Sequence, residues 1–137
     1  MKAALGLSLL LACSSAKSLP TAPTAVDIVE AQLAAYNARD LEGFLRTYAD
    51  DATLTSAAKG GAVIMQGKAA MRERYGKAFT SFPQGRARIA ERKLEGDGVV
   101  RDHEIITGMS PLRPDPWDAG WVRYEVEGGL IKRVELP

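Results

Sequence analysis

The side chains best suited to acid–base chemistry lie together in one apolar, β-branched stretch. Asp102, His103 and Glu104 are flanked by valines and isoleucines within residues 99–107, and His103 is the only histidine of the chain. Charged groups among apolar residues must be paired, hydrated or neutralised by a shifted pKa. Such groups often belong to functional sites. The pattern therefore makes these three residues candidate catalytic groups for proton transfer.

The alternation of a β-strand decides which of these groups can act together. Successive side chains project to opposite faces, so Asp102 and Glu104 share one face while Arg101 and His103 share the other. On one strand the two carboxylates lie about 6 to 7 Å apart, and in a poorly hydrated site they should titrate as a coupled pair. A second interpretation stays open, in which these acids and bases form ordinary cross-strand pairs on a hydrated face.

Length and composition predict one folded domain without a strong charge field. The 137 residues allow a single core, and 46% hydrophobic and 26% charged residues are ordinary for a globular chain. The 18 basic residues nearly balance the 17 acidic ones, which does not favour nucleic-acid binding. One histidine without a recognisable ligand spacing does not favour a metal site either. We expect no metal, no cofactor and no nucleic acid.

The N-terminal residues predict export. Lys2 precedes a mostly apolar segment, residues 3–12, which is far shorter than the about 20 residues of a membrane-spanning helix. Residues 10–15 resemble a bacterial lipobox, so residues 1–13 are predicted to be a signal sequence with Cys13 as the lipidated residue. Ordinary cleavage after Ala16 and a short buried helix are the open alternatives. The expected location is the periplasm or cell envelope, with the lipid as the only membrane attachment.

Residues 14–24 are predicted to be a tether, because prolines and small residues dominate them. The folded domain should then cover residues 25–137. Apolar residues three and four positions apart predict helices over 26–39 and 68–79, with Thr24 capping the first. Asp40 is predicted to cap a shorter helix whose apolar face includes Tyr48. Residues 49–51 are predicted to be a turn, and 52–56 and 63–66 to be short strands.

The second half of the chain has the period of β-strands. Strands are predicted over 86–95, 99–107, 119–126 and 130–136, with glycine-containing turns at 96–98 and 127–129. The proline-rich residues 108–118 are predicted to form a long loop, as a lid or a contact surface. Helices followed by an antiparallel meander indicate an α+β domain, whose sheet buries one face under the helices.

Several phrases of the sequence are similar to those of the nuclear transport factor 2-like superfamily, in particular its SnoaL-like and steroid Δ-isomerase-like members. They are residues 34–44, 48–52, 67–75 and the strand around His103, and the likeness covers residues 25–136. The resemblance implies a cystatin-like, cone-shaped α+β barrel, in which three N-terminal helices pack on a curved, mostly antiparallel sheet around an apolar pocket. It also implies a homodimer through the outer sheet face. We expect Trp121 and Arg123 near its centre, because an aromatic ring beside a charge is a common pairing at interfaces.

The same resemblance implies that this chain lacks the catalytic groups of the steroid isomerases. It places Gln32 at the position of their oxyanion-donating tyrosine, Ser56 at that of their proton-shuttling aspartate and Val122 at that of their second oxyanion acid. Their supporting tyrosine is kept as Tyr75. Any base must then come from the strand of Asp102, His103 and Glu104, and catalysis itself stays open. The resemblance places Asp102 and Glu104 on the pocket side, and a slip of one residue would place Arg101 and His103 there instead. The residues expected to contact a ligand are Gln32, Tyr36, Ser56, Tyr75, Val122 and Tyr124.

Two functions follow from this sequence. The first is an exported SnoaL-like domain that binds a small, largely apolar molecule in the cone, with or without isomerase- or hydrolase-like acid–base chemistry. The second is a non-catalytic dimeric interaction module whose cone is filled by its own side chains.

Overall fold

The computed structural model describes residues 13–137, so most of the predicted signal sequence lies outside the described residues. Residues 13–24 are exposed and form neither helix nor strand, and Cys13 is a free, exposed thiol. Its lipidation and the tether stay predictions. Within the described part of the chain, no helix is long and apolar enough to cross a membrane.

Three helices form one layer of the domain: α1 (Ala25–Ala38), α2 (Leu41–Arg46) and α3 (Lys68–Ser81). Thr24 caps α1 in a reciprocal arrangement, because its hydroxyl accepts from the Asp27 N–H at 3.2 Å while its own N–H donates to the Asp27 carboxylate at 2.7 Å. Asp40 caps α2 by accepting from the Gly43 N–H at 2.9 Å. Both predicted caps are confirmed.

Six strands form the second layer in the spatial order β2-β1-β6-β5-β4-β3. β1 and β6 run parallel, and the other neighbouring pairs are antiparallel. The predicted α+β class, with helices on a curved and mostly antiparallel sheet, is confirmed. The strands are β1 (Tyr48–Ser56), β2 (Ala62–Gln66), β3 (Arg86–Glu95), β4 (Val99–Thr107), β5 (Trp117–Glu127) and β6 (Leu130–Leu136), with a 3₁₀ turn at Ala57–Lys59.

The predicted turn at residues 49–51 and the placement of Tyr48 on the second helix are wrong. α2 ends at Arg46, and Tyr48 already pairs with Ile131 of β6. Asp50 and Asp51 are exposed within β1, where its register with β6 shifts. Turn-forming residues are tolerated there because the irregular segment of the strand turns both carboxylates to solvent. The pairing with the distant β6 overrides the local turn preference.

The fifth strand begins two residues earlier than predicted, because Trp117 pairs with Ile106 of β4. A bulge follows, in which Ala119 is the extra residue and Gly120 lies opposite Glu104. Gly120 has a φ of 83°, which a residue with a side chain adopts only under strain. The bulge changes the direction in which the side chains at the start of β5 project, next to β4, the strand that carries the candidate catalytic residues.

An aromatic cluster joins the three helices to the sheet. Phe44 is fully buried and contacts the rings of Tyr36, Tyr48, Tyr75 and Phe79 at centroid distances of 4.5 to 6.3 Å. These separations suit tilted and edge-to-face aromatic packing. The cluster therefore fixes the helical layer that roofs the concave face of the sheet.

Candidate functional site

A cavity of about 420 Å³ lies between the helices and the concave face of the sheet. This volume is in the range that small-molecule sites occupy, roughly 300–1,000 Å³. All six residues predicted to contact a ligand line it: Gln32, Tyr36, Ser56, Tyr75, Val122 and Tyr124. Their contact with a ligand stays a prediction. The chain's own side chains do not fill the cone, which is contrary to the second predicted function.

Glu104 is the member of the predicted catalytic set that lines this cavity. The Tyr124 hydroxyl, on the neighbouring strand β5, donates to Glu104 Oε1 at 2.6 Å. Burial raises the pKa of Glu104 to about 7; the Asp102 charge also raises it, while the Tyr124 hydrogen bond and the Arg92 guanidinium lower it. A carboxyl group that is half protonated near neutral pH can both accept and donate a proton.

Three tyrosines line the cavity with this carboxyl group, of which Tyr48 and Tyr124 are buried and Tyr75 is partly buried. Burial, with the neighbouring Glu104 charge next in effect, raises the pKa of Tyr124 well above its usual value. Burial likewise raises the pKa of Tyr48 and of Tyr75. All three phenols therefore keep their protons at neutral pH and act as hydrogen-bond donors. Sequence reasoning missed Tyr48, because it assigned this residue to a helix.

Some of the hydrogen-bond donors that line the cavity do not donate to another group of the protein. The Gln32 amide donates to the Tyr48 hydroxyl oxygen at 3.0 Å, which leaves the Tyr48 proton free. Among residues 13–137, the Tyr75 hydroxyl and Glu104 Oε2 form no hydrogen bond. Tyr48 and Tyr75 therefore place hydroxyl donors in the same cavity as the Glu104 carboxyl group. Proton transfer beside a carbonyl group needs this combination of base and donors.

Asp102 faces the same side of the sheet but does not line the cavity. It is 1% exposed and lies opposite Arg92 of β3. Arg92 Nε donates to Oδ1 at 2.6 Å and Nη2 to Oδ2 at 2.7 Å, a bidentate pair, and Nη1 also bonds Glu30 of α1. The expectation that Asp102 and Glu104 lie together in the pocket is corrected, because Asp102 pairs with Arg92, although its charge still raises the pKa of Glu104. Asp102 therefore pairs with Arg92 and does not reach the cavity.

His103 lies on the outer face of the sheet and is not brought together with Glu104. Its ring stacks on Trp121 at a centroid distance of 5.3 Å, and its Nε2 lies 2.7 Å from Asp118 Oδ1. The hydrogen bond from His103 lowers the pKa of Asp118. His103 is thus corrected as a candidate for the cavity, because the strand turns alternate side chains away from it.

Sequence reasoning missed the cations of the cavity, which are Lys59, Arg74 and Arg113. The helical spacing offered one signal, since Arg74 lies three residues after the buried Met71 and immediately before Tyr75. Nothing local marked the other two. For metals, within residues 13–137 no three His, Cys, Asp or Glu side chains come together as a ligand set.

The cone-shaped sheet, the three-helix roof and the enclosed cavity define a domain of the nuclear transport factor 2-like superfamily. Residues 29–134 match the SnoaL-like domain family. The chain belongs to this family. No curated protein matches it.

Solved structures support the same fold. A cystatin-fold protein from Novosphingobium aromaticivorans is 28% identical, with a TM-score of 0.72 and coverage of 84% of this chain and 98% of that one. A candidate polyketide cyclase from Sinorhizobium meliloti is 22% identical, with a TM-score of 0.67 and coverage of 81% and 94%. A Catenulispora acidiphila protein with a ketosteroid isomerase-like fold, in complex with trimethylamine, is 19% identical, with a TM-score of 0.63 and coverage of 80% and 82%.

Proposed function

We propose that this SnoaL-like domain binds a small, largely apolar molecule in its cavity and moves a proton on that molecule with Glu104. The observation that carries the proposal is that Glu104, whose pKa burial raises to about 7, lines a mostly apolar cavity. General acid–base catalysis is most efficient when the catalytic pKa lies near the working pH. Isomerase-like chemistry next to a carbonyl group is the reaction that fits best.

The proposed step begins with an ionised Glu104. Its carboxylate takes a proton from the carbon next to the carbonyl group of the ligand, and the C–H electron pair forms a carbon–carbon double bond. The carbonyl π electrons move to oxygen, where hydrogen bonds from Tyr48 and Tyr75 stabilise the developing charge. Glu104 then returns the proton to the same or another carbon. The position of the steroid-isomerase aspartate, now Ser56, is not needed for this step.

Proton exchange on simple ketones tests the proposal. We expect the protein to accelerate the exchange of the α-hydrogens of 2-tetralone in D₂O, with a rate that rises as pH passes through about 7, where Glu104 ionises. NMR follows the loss of the proton signal. Glu104→Gln should reduce the protein-dependent rate at least about 100-fold, the lower range for loss of a general base.

His103→Gln is the matched control, because His103 lies next to Glu104 in sequence but on the outer face of the sheet. It should leave the exchange rate unchanged. The proposed chemistry is wrong if the Glu104 and His103 variants behave alike. The proposed ligand binding is wrong as well if native mass spectrometry detects no complex with 2-tetralone or with larger apolar ketones.

Export belongs to the same proposal. Cys13 is exposed and is separated from α1 by residues 14–24, which form neither helix nor strand. This arrangement suits attachment of the domain to a lipid at Cys13 on the outer side of the cytoplasmic membrane.

We also propose that a second copy of the chain covers the outer sheet face. Trp121 is half-buried there, beneath Lys93 at 4.6 Å. Arg123 bonds Glu95 and Glu125 on the same face. Cations and carboxylates that alternate around an aromatic ring can pair with themselves across a twofold axis.

Trp121→Ala should therefore lower the sedimentation coefficient from that of a dimer toward that of a monomer. A central aromatic residue typically contributes more than about 2 kcal/mol to an interface. Trp117→Ala is the control, since Trp117 belongs to the same strand but lines the cavity. A monomeric wild-type protein at high micromolar concentration would refute the dimer.

A further inference from the structure

Three cationic side chains from different elements surround the opening of the cavity. Lys59 belongs to the 3₁₀ turn after β1, Arg74 to α3, and Arg113 to the loop between β4 and β5. Each of them lines the cavity and is also exposed. A side chain that meets both conditions lies where the cavity meets solvent. The fold thus collects positive charge at the opening from distant parts of the sequence.

These three cations form no ion pair with another side chain in the part of the chain that the structure describes, whereas their neighbours on α3 do: Arg72 bonds Glu42, and Lys77 bonds Glu73 at 3.0 Å. Glu104 is the one carboxyl side chain among the described residues that line the cavity, and it lies inside rather than among the exposed residues. The side chains exposed at the opening therefore carry a net positive charge.

Arg113 is held in place at this opening. Its guanidinium lies over the Trp117 ring at 4.7 Å, and Trp117 itself lines the cavity. Its backbone N–H donates to the Met109 carbonyl at 3.1 Å, which fixes the loop around it. A guanidinium that stacks on an indole ring keeps its edge free, and that edge matches the two oxygens of a carboxylate.

The interior of the cavity is mostly apolar, in contrast to its positively charged opening. Its walls include Leu33, Ile64, Ile106, Val122 and Val134. An apolar body gains free energy in such a site, while an anionic group would lose its hydration there. The two regions together select a molecule with an apolar body and one charged end.

We propose that the ligand of this cavity is an amphipathic carboxylate, whose apolar body occupies the cone and whose carboxylate is bound at the opening by Lys59, Arg74 and Arg113. This inference rests on the proposed function, because it requires that a molecule enters the cavity. It specifies the class of substrate, an apolar carbonyl compound that carries a carboxylate at the end remote from Glu104.

A matched pair of probes tests this specificity: 6-acetyl-2-naphthoate, and its neutral carboxamide. Affinities are measured by the fluorescence of the naphthalene ring. Exposed ion pairs are individually weak, and three of them should give the carboxylate an advantage of about tenfold. Because exposed charges are screened, the advantage should shrink as NaCl rises from about 20 to 500 mM.

The triple variant Lys59→Gln, Arg74→Gln, Arg113→Gln should lose the preference and bind the carboxylate and the carboxamide equally. Arg72→Gln with Lys77→Gln is the control pair on α3 and should retain the full preference. Equal binding of the two probes by the wild type, or a preference that survives in the triple variant, would overturn the inference. Glu104-dependent exchange of the acetyl protons reports on the proposed function separately. If neither probe binds, the proposed ligand binding is wrong, and the inference that rests on it is wrong as well.

Discussion

Arg92→Met is expected to lower the free energy of unfolding by about 3 to 5 kcal/mol at pH 7. Arg92 is the bidentate partner of Asp102, whose side chain is 1% exposed. Removing the guanidinium leaves a buried carboxylate without a cation, which is the costly way to break an ion pair. Urea unfolding of the purified domain, followed by circular dichroism, measures the change.

Asp102→Asn is expected to cost less, about 1 to 2 kcal/mol. Arg92 is partly exposed, at 20% of its side chain, and keeps its bond to Glu30. The double variant Arg92→Met, Asp102→Leu should recover most of the stability, because it removes both charges and fills the space with apolar atoms. Equal costs for the two single variants would show that Asp102 is not buried as the structure places it.

The same variants have a second readout at the cavity. Arg92 lowers the pKa of Glu104, and Asp102 raises it. Arg92→Met should therefore move the pH dependence of ketone exchange to higher pH, and Asp102→Asn should move it to lower pH. A purely structural role for the pair would change stability without moving this profile.

Glu104→Gln is expected to stabilise the protein at alkaline pH. The folded-state pKa of about 7 exceeds the usual value of 4.5. Below that usual value the carboxyl group is protonated in both the folded and the unfolded chain, so it adds no pH dependence. Between the two values the unfolded chain loses its proton while the folded chain keeps it, so stability falls as pH rises. Above about 7 both are ionised and the cost is constant.

The stability gained by Glu104→Gln relative to the wild type should therefore grow between pH 4 and pH 8, by up to about 3 kcal/mol. Glutamine can still accept the Tyr124 hydrogen bond, so the packing is retained. Glu127→Gln is the control, because Glu127 is exposed at the end of β5. It should change stability by less than about 0.5 kcal/mol at either pH. If the stability change caused by Glu104→Gln is equally independent of pH, Glu104 is hydrated in the folded protein and is not the proton carrier.

The sequence determined the elements of this fold because their signals are local. The caps at Thr24 and Asp40, the three helices and the strands after residue 83 follow from side-chain periods and turn residues within a few positions. The resemblance then indicated the family and the cone. The strand period also separated Asp102 and Glu104 from His103, since alternation depends on the strand alone.

What the local pattern did not determine is which groups meet across the fold. Tyr48 belongs to a strand and not to the predicted helix, because it pairs with β6, more than 80 residues later in the chain. Asp102 and Glu104 share one face, yet the first meets Arg92 beneath α1 and the second meets Tyr124 inside the cavity. Their neighbours come from β3 and β5, and only strand pairing sets that register.

The character of the site likewise depends on the tertiary structure. A carboxyl group acquires a pKa of about 7 only when distant residues remove its water, which no spacing along one strand reveals. The cations Lys59, Arg74 and Arg113 are ordinary surface residues in the sequence and meet only where the cavity opens. The sequence by itself determined the class of domain and the strand that carries the candidate base. The tertiary structure decided that Glu104, and not Asp102, lines the cavity, because burial and charge pairing are properties of residues far apart along the chain.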